Sequence, residues 1–280
     1  TYTERFLAVS SIKLARSHDH PFITIDRTTD TLYVAYSVFN GFGIRSRSYV
    51  IQADADHMAA GFSAPVNVSD IQKNEIFDLS VETGPPVAGG SARTVYAAFG
   101  VWSTGVNWNE DKIAVSRSRD GGRTFEKSVV VDSVVPMPKF LPGQSWRTGN
   151  QPIGAVDPTD GNHLWVVYGD YADGDGDIVV RESADGGKSW SGRRFVGETA
   201  AGTNQLFAWM TVSPDGSRLD LIYYDLGYDP AGYLIDVTYA ASWDDWLAWS
   251  RTRVTRESFD GNLLPPAANP AQSWIRYILP

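Results

Sequence analysis

The chain has 280 residues, 42% of them hydrophobic, and its 26 Gly and 15 Pro are scattered rather than clustered. It carries 33 acidic against 24 basic residues, a net charge of −9, which argues against nucleic acid as a partner because phosphate neutralisation needs clustered Lys and Arg. No apolar run approaches the ~20 residues of a membrane-spanning helix, and the lack of cysteine excludes disulfides and thiol catalysis.

The first element in the chain, Leu7–Leu14, has the look of a closing strand of an earlier sheet, and the last, Trp274–Leu279, that of a strand just begun. With no initiator Met at Thr1, these ends are expected of a piece of a longer protein. Between them a four-strand unit repeats. Its first strand is expected at Phe22–Asp26, Leu79–Val81, Ile153–Asp157 and Trp209–Val212. A second strand rich in Tyr and Val follows at Leu32–Tyr36, Val95–Phe99, Leu164–Tyr168 and Leu219–Tyr223. The third is apolar, at Ile113–Val115, Ile178–Val180 and Ile235–Val237. The fourth is exemplified by Ser128–Val131 and Thr252–Thr255.

A box separates the third strand from the fourth. SRDGGRTF and SADGGKSW share Ser-x-Asp-x-Gly-x-Thr/Ser-aromatic, carried by Ser118, Asp120, Gly122, Thr124 and Phe125 and by Ser183, Asp185, Gly187, Ser189 and Trp190. A third copy keeps Ser242, Asp244 and Trp249 but has Trp246 for the glycine, and a vestige ends at Phe62. The closing aromatics at 62, 125, 190 and 249 are 63, 65 and 59 residues apart, too regular for chance. Asp-Gly-Gly is a hairpin signal, because glycine supplies the positive φ and the Asp carboxylate accepts turn amides. The box therefore has a structural role, with Phe125 and Trp190 expected to be buried beneath their hairpins.

Short strands, tight turns and no helical periodicity predict an all-β propeller of four visible four-stranded blades in one domain. The blades fall at approximately 16–69, 75–133, 148–198 and 205–257, with partial blades at both ends forming an open arc. By its boxes the chain resembles the Asp-box, or BNR-repeat, family, whose best-known enzymes are the sialidases. The resemblance implies a fragment of a six- or seven-bladed sialidase-like propeller, a glycan or glycoconjugate as partner, and a secreted or cell-surface location. It also places the boxes on the face opposite the active site.

Two loop sets make up that opposite face. The links into each blade hold Arg16, His18, Asp19 and His20, then Glu75 and Asp78, Trp146 and Arg147, and Asn204 and Gln205. The turns between strands two and three hold Phe39 and Asn40, then Trp102, Asn107, Trp108 and Glu110, then Asp170, Tyr171 and Asp173, then Tyr224, Asp225 and Tyr228. Aromatic rings beside carboxylates suit sugars, so Trp102, Trp108, Trp146, Tyr171 and Tyr228 are candidate substrate platforms. If Trp102 and Trp146 are instead more than 90% buried between blades, a scaffold is the better reading.

Sialidases use a Tyr nucleophile helped by a Glu, a separate Asp, and an arginine clamp on the sugar carboxylate. Arg147, Tyr224 and Asp225 are the catalytic candidates that the resemblance suggests, with Arg276 as a second possible clamp residue. Where the family opens its first blade on Arg-Ile-Pro, this chain has Asp19-His20-Pro21. Three functions compete: a sialidase-like glycoside hydrolase, exo-α-sialidase included; a non-catalytic scaffold binding carbohydrate or protein; and a polysaccharide lyase. No cofactor is required. The alternating carboxylates of Asp170, Asp173, Asp175 and Asp177 offer one structural Ca²⁺ site, whereas His18 and His20 are expected to be hydrogen-bonding loop residues.

Overall fold

The computed structural model describes residues 16–40, 45–71, 75–102, 110–197, 202–243 and 246–263. Among the described residues, sixteen strands form four separate four-stranded antiparallel sheets. The first holds β1 (Arg16–Asp26), β2 (Thr31–Asn40), β3 (Arg45–Asp54) and β4 (Val66–Asn67). The second holds β5 (Glu75–Gly84), β6 (Thr94–Trp102), β7 (Lys112–Ser118) and β8 (Val129–Ser133). The third holds β9 (Ile153–Val156), β10 (Leu164–Asp170), β11 (Asp177–Ser183) and β12 (Arg194–Phe195). The fourth holds β13 (Gln205–Val212), β14 (Leu219–Asp225), β15 (Asp236–Ser242) and β16 (Ser250–Arg253). Helix is confined to two short 3₁₀ turns among the described residues, Met58–Ala60 and Gly261–Leu263.

The first strands of the sheets, β1, β5, β9 and β13, pack beside one another in order, so each sheet is a blade and these edges surround an axis. One continuous core runs through all four blades, from Tyr33, Val81 and Phe99 to Trp165, Val180 and Tyr223. At the axis the first and last blades meet where the Phe22 and Trp209 rings stack, 5.2 Å between centroids. The strands expected at Leu7–Leu14 and Trp274–Leu279 lie outside the described residues.

Both intact boxes form the same turn. Ser118 Oγ donates to Asp120 Oδ1 at 2.7 Å and accepts from the Gly122 amide at 2.8 Å. The amides of Arg123 and Thr124 donate to Asp120 Oδ1, and Thr124 Oγ1 donates to Oδ2 at 2.6 Å. Ser183, Asp185, Gly187, Lys188 and Ser189 repeat every one of these bonds. Burial alone would raise the Asp185 carboxyl; the hydroxyls and amides turned on it outweigh that and hold it down at about 2.

The box also joins neighbouring blades. Tyr33 of the first blade donates its hydroxyl to Gly121 O of the second-blade box at 3.2 Å. A Cβ at Gly187 would sit 3.9 Å from the Tyr96 ring of the second blade. In the third copy Trp246 keeps the left-handed backbone of the glycine it replaces, at φ 58°. Its ring meets Trp165 of the third blade edge-on at 5.0 Å, and its Nε1 donates to Glu182 Oε1 at 3.3 Å. An interblade aromatic contact thus takes the glycine's place. One expectation needs correction: Phe125 and Trp190 are only half-buried, because their turns sit at the sheet ends and the rings cover the core edge.

Candidate functional site

Strand register fixes which groups share an end of the propeller. Glu75 pairs with Trp102, whereas Gly84 pairs with Thr94, next to the register of Val95 with Ser118, where the box begins. The links into the blades and the strand two–three turns therefore lie opposite the boxes, as topology predicts. At that end each innermost strand carries one residue forced into the left-handed region: His20 (φ 54°), Asp78 (φ 49°), Gln151 (φ 38°) and Phe207 (φ 55°). In β1, β5 and β13 these residues sit in a two-residue bulge, seen as register shifts between Asp19 and Phe22, Phe77 and Ser80, and Leu206 and Trp209. Gln151 occupies the same place just before β9, where the Gly169 amide donates to Asn150 O at 2.7 Å. A left-handed non-glycine residue is strained, and four at equivalent positions mark one ring of re-aimed side chains.

That ring assembles an acid cluster. His20 Nε2 lies 3.1 Å from Asp78 Oδ1, across the first and second blades. The Asp78 carboxylate stands close enough to Glu110, whose side chain is buried, for its charge to act on it. Burial, then the neighbouring Asp78 charge, push the Glu110 carboxyl well above the usual range. The amide of Asn150 donates to Glu110 Oε2 at 3.2 Å and leaves Oε1 with no donor among the described residues. The same link into the third blade holds Arg147 Nε and Gln151 Nε2, both buried without an acceptor among the described residues. Unused hydrogen-bonding capacity beside a buried acid is what a polar ligand would satisfy.

Glu110 fits only because Gly100 of β6 has no side chain; a Cβ there would overlap the Glu110 carboxyl. Gly100→Ala is therefore expected to cost about 1–3 kcal/mol through overpacking. Adding Glu110→Ala should recover most of that loss in a double-mutant cycle read by denaturant melts.

The aromatic platforms need correction. Trp102 is 6% exposed and packs with Phe39 of the first blade. Trp146 is 1% exposed, stacked near Phe207 at 6.3 Å with its Nε1 donating to Gln144. Both meet the burial condition set for a scaffold, so neither ring is a sugar platform. Tyr224 is buried among Phe207 and Phe259, and burial raises its hydroxyl to about 12. Asp225, next along β14, points to the opposite face of the sheet; it accepts from the Gly227 amide and Thr238 Oγ1. Tyr224 and Asp225 are thus no catalytic pair. Tyr228 is 41% exposed beneath the Arg253 guanidinium, and Tyr171 is half-buried against the Trp146 cluster. Asn107, Trp108, Asp244 and Arg276 lie outside the described residues.

Two of the carboxylates expected to hold calcium have other partners. Asp170 is committed to Arg193 at 2.7 Å, and Asp175 accepts the Gly202 amide. Among the described residues no group of three His, Cys, Asp or Glu could hold a metal. Burial, then Asp175, Asp173 and Asp170, push the Asp177 carboxyl up to about 6. His18 and His20 do not share a ligand either, since His18 packs on Tyr36, 5.5 Å between centroids.

No protein-family model and no curated protein sequence matches the chain. Solved structures do, and they define a class by fold, the β-propeller. A GH93 α-L-arabinofuranosidase of Fusarium graminearum, solved with arabinobiose, superposes with a TM-score of 0.61 at 18% identity, over 86% of this chain and 68% of that one. An α-L-arabinanase of Penicillium chrysogenum, also with arabinobiose, gives 0.62 at 15% identity, over 84% and 66%. The NanB sialidase of Streptococcus pneumoniae gives 0.56 at 10% identity, over 90% of this chain and 54% of that one. At these identities the likeness establishes the propeller alone.

Proposed function

We propose that this chain is a glycan-acting propeller of the glycoside hydrolase type, with its site at the His20–Asp78–Glu110 cluster. The observation that carries the reading is the buried carboxyl pair, in which burial and then the Asp78 charge push the Glu110 carboxyl well above the usual range. Glycoside cleavage needs such an acid to protonate the departing oxygen. Strongly shifted carboxyls in buried clusters are commonly found where chemistry is done. The arabinan-active and sialic-acid-active propellers of the same fold support the substrate class.

Asp78 touches Glu110, whereas the group that acts across the glycosidic bond from the acid stands about 5–9.5 Å away. Asp78 is accordingly a positioning residue. It keeps the proton on Glu110, and His20 fixes its orientation. Gln151 and Arg147 supply unused donors for sugar hydroxyls. Arabinofuranosides and sialosides are the first substrates to try. A fluorogenic-glycoside screen of the intact protein is expected to find turnover that falls as pH rises through the raised Glu110 value. Turnover of none of the panel would favour the second reading, a non-catalytic binding scaffold, which the burial of Trp102 and Trp146 already favours.

A further inference from the structure

The other end of the axis, on the box face, holds a cavity that the proposed chemistry does not use. It measures about 130 Å³ and lies between β5, β9 and β13. Its lining is mixed: Val156, Pro158, Met210, Val212 and Pro214 supply an apolar wall, with Thr211 at the exposed side. One ionisable group enters it, the carboxyl of Glu82. Among the described residues that carboxyl accepts one hydrogen bond, from Thr24 Oγ1 at the long distance of 3.5 Å, and no cation forms an ion pair with it.

We propose that this cavity is a binding site for a small organic cation, an alkylammonium group whose charge pairs with Glu82 and whose carbon chain lies on the Met210, Val156 and Val212 wall. A metal ion is a poor fit, since calcium and its kin need six or more oxygens and the walls offer one carboxyl. A neutral apolar ligand would leave the carboxyl unpaired, and an anion would face it directly. A short primary amine satisfies the charge and the apolar wall together, and a chain of a few carbons matches the volume.

Burial, partly offset by the Thr24 hydroxyl, pushes the Glu82 carboxyl up to about 8, so in the free protein it is mostly protonated at pH 7. Ammonium binding must release that proton. Affinity therefore rises with pH through about 8 and levels off before the amine itself deprotonates near 10. From pH 6.5 to 9 the gain is about thirtyfold, the ratio of deprotonated fractions for a group titrating near 8.

The test is calorimetric titration of the full chain with n-butylammonium at pH 6.5 and 9, in buffers of different ionisation enthalpy. Expected are saturable one-site binding, the pH gain above, and release of close to one proton per amine at pH 7. Glu82→Gln, which keeps the side-chain shape, should abolish both binding and proton release. Thr211→Trp, at an exposed position, should block the cavity and leave the melting temperature near that of the wild type. No saturable binding at pH 9, or equal binding in Glu82→Gln, overturns the proposal. Hydrolysis is not measured in either arm, so the outcome is independent of the chemistry at the opposite face.

Discussion

Glu110→Gln is expected to lower kcat by about 10²–10⁴-fold on any glycoside the protein turns over, with KM little changed. Glutamine fills the space above Gly100 and still meets the Asn150 amide through its carbonyl, so the fold should survive. Only the transferable proton is lost. Asp78→Asn is expected to act differently. Burial holds the Glu110 carboxyl up, and the Asp78 charge holds it higher. Removing that charge lets the Glu110 value fall, and the alkaline limb of the pH–rate profile should move to lower pH. A purely structural Asp78 would lower activity without moving the limb. Unchanged kcat in Glu110→Gln would remove this residue from the chemistry.

Trp165→Ala is expected to be among the most destabilising single changes, costing about 3–5 kcal/mol. The side chain is fully buried in the common core. It contacts Trp246 at 5.0 Å and the His163 ring at 4.1 Å. His163 in turn bridges Asp157 at 3.1 Å and Glu182 at 2.8 Å, so the cavity would open under a polar network joining the third and fourth blades. Trp190→Ala in the intact box should cost less, roughly 1–3 kcal/mol, because its ring is half-buried. Chemical denaturation of both variants measures the difference. A larger loss for Trp190 would mean that the box holds the fold more strongly than the interblade core does.

The blades were legible because their signals are local. Ser118-x-Asp120 and Ser183-x-Asp185 determine their own turns by hydrogen bonds within five residues, so the box can be recognised without knowing what surrounds it. Even in the third copy, Trp246 keeps the left-handed conformation of the glycine it replaces. The site was less legible. His20, Asp78 and Glu110 could be placed on the correct face from strand order, but nothing local separates them from Trp102 and Trp146 on the same loops. What distinguishes them is the left-handed bulge, which here falls on His, Asp, Gln and Phe and so lacks the glycine that normally announces it. The repeat itself held the missing signal, because polar residues stand at His20, Asp78 and Gln151 where an innermost strand would otherwise bury apolar ones. The tryptophans misled for a related reason. A ring near the end of a strand stacks on the next blade as readily as on a sugar, and only packing decides between them.

The most direct measurement is a carboxyl ¹³C NMR titration of Glu110, assigned by comparison with Glu110→Gln, in the absence and presence of arabinobiose and a sialoside. The account predicts that the Glu110 carbon titrates well above the ordinary glutamate value of about 4.3. It further predicts that one of the two saccharides shifts that titration. A Glu110 carbon that titrates in the ordinary range and ignores both saccharides would contradict it.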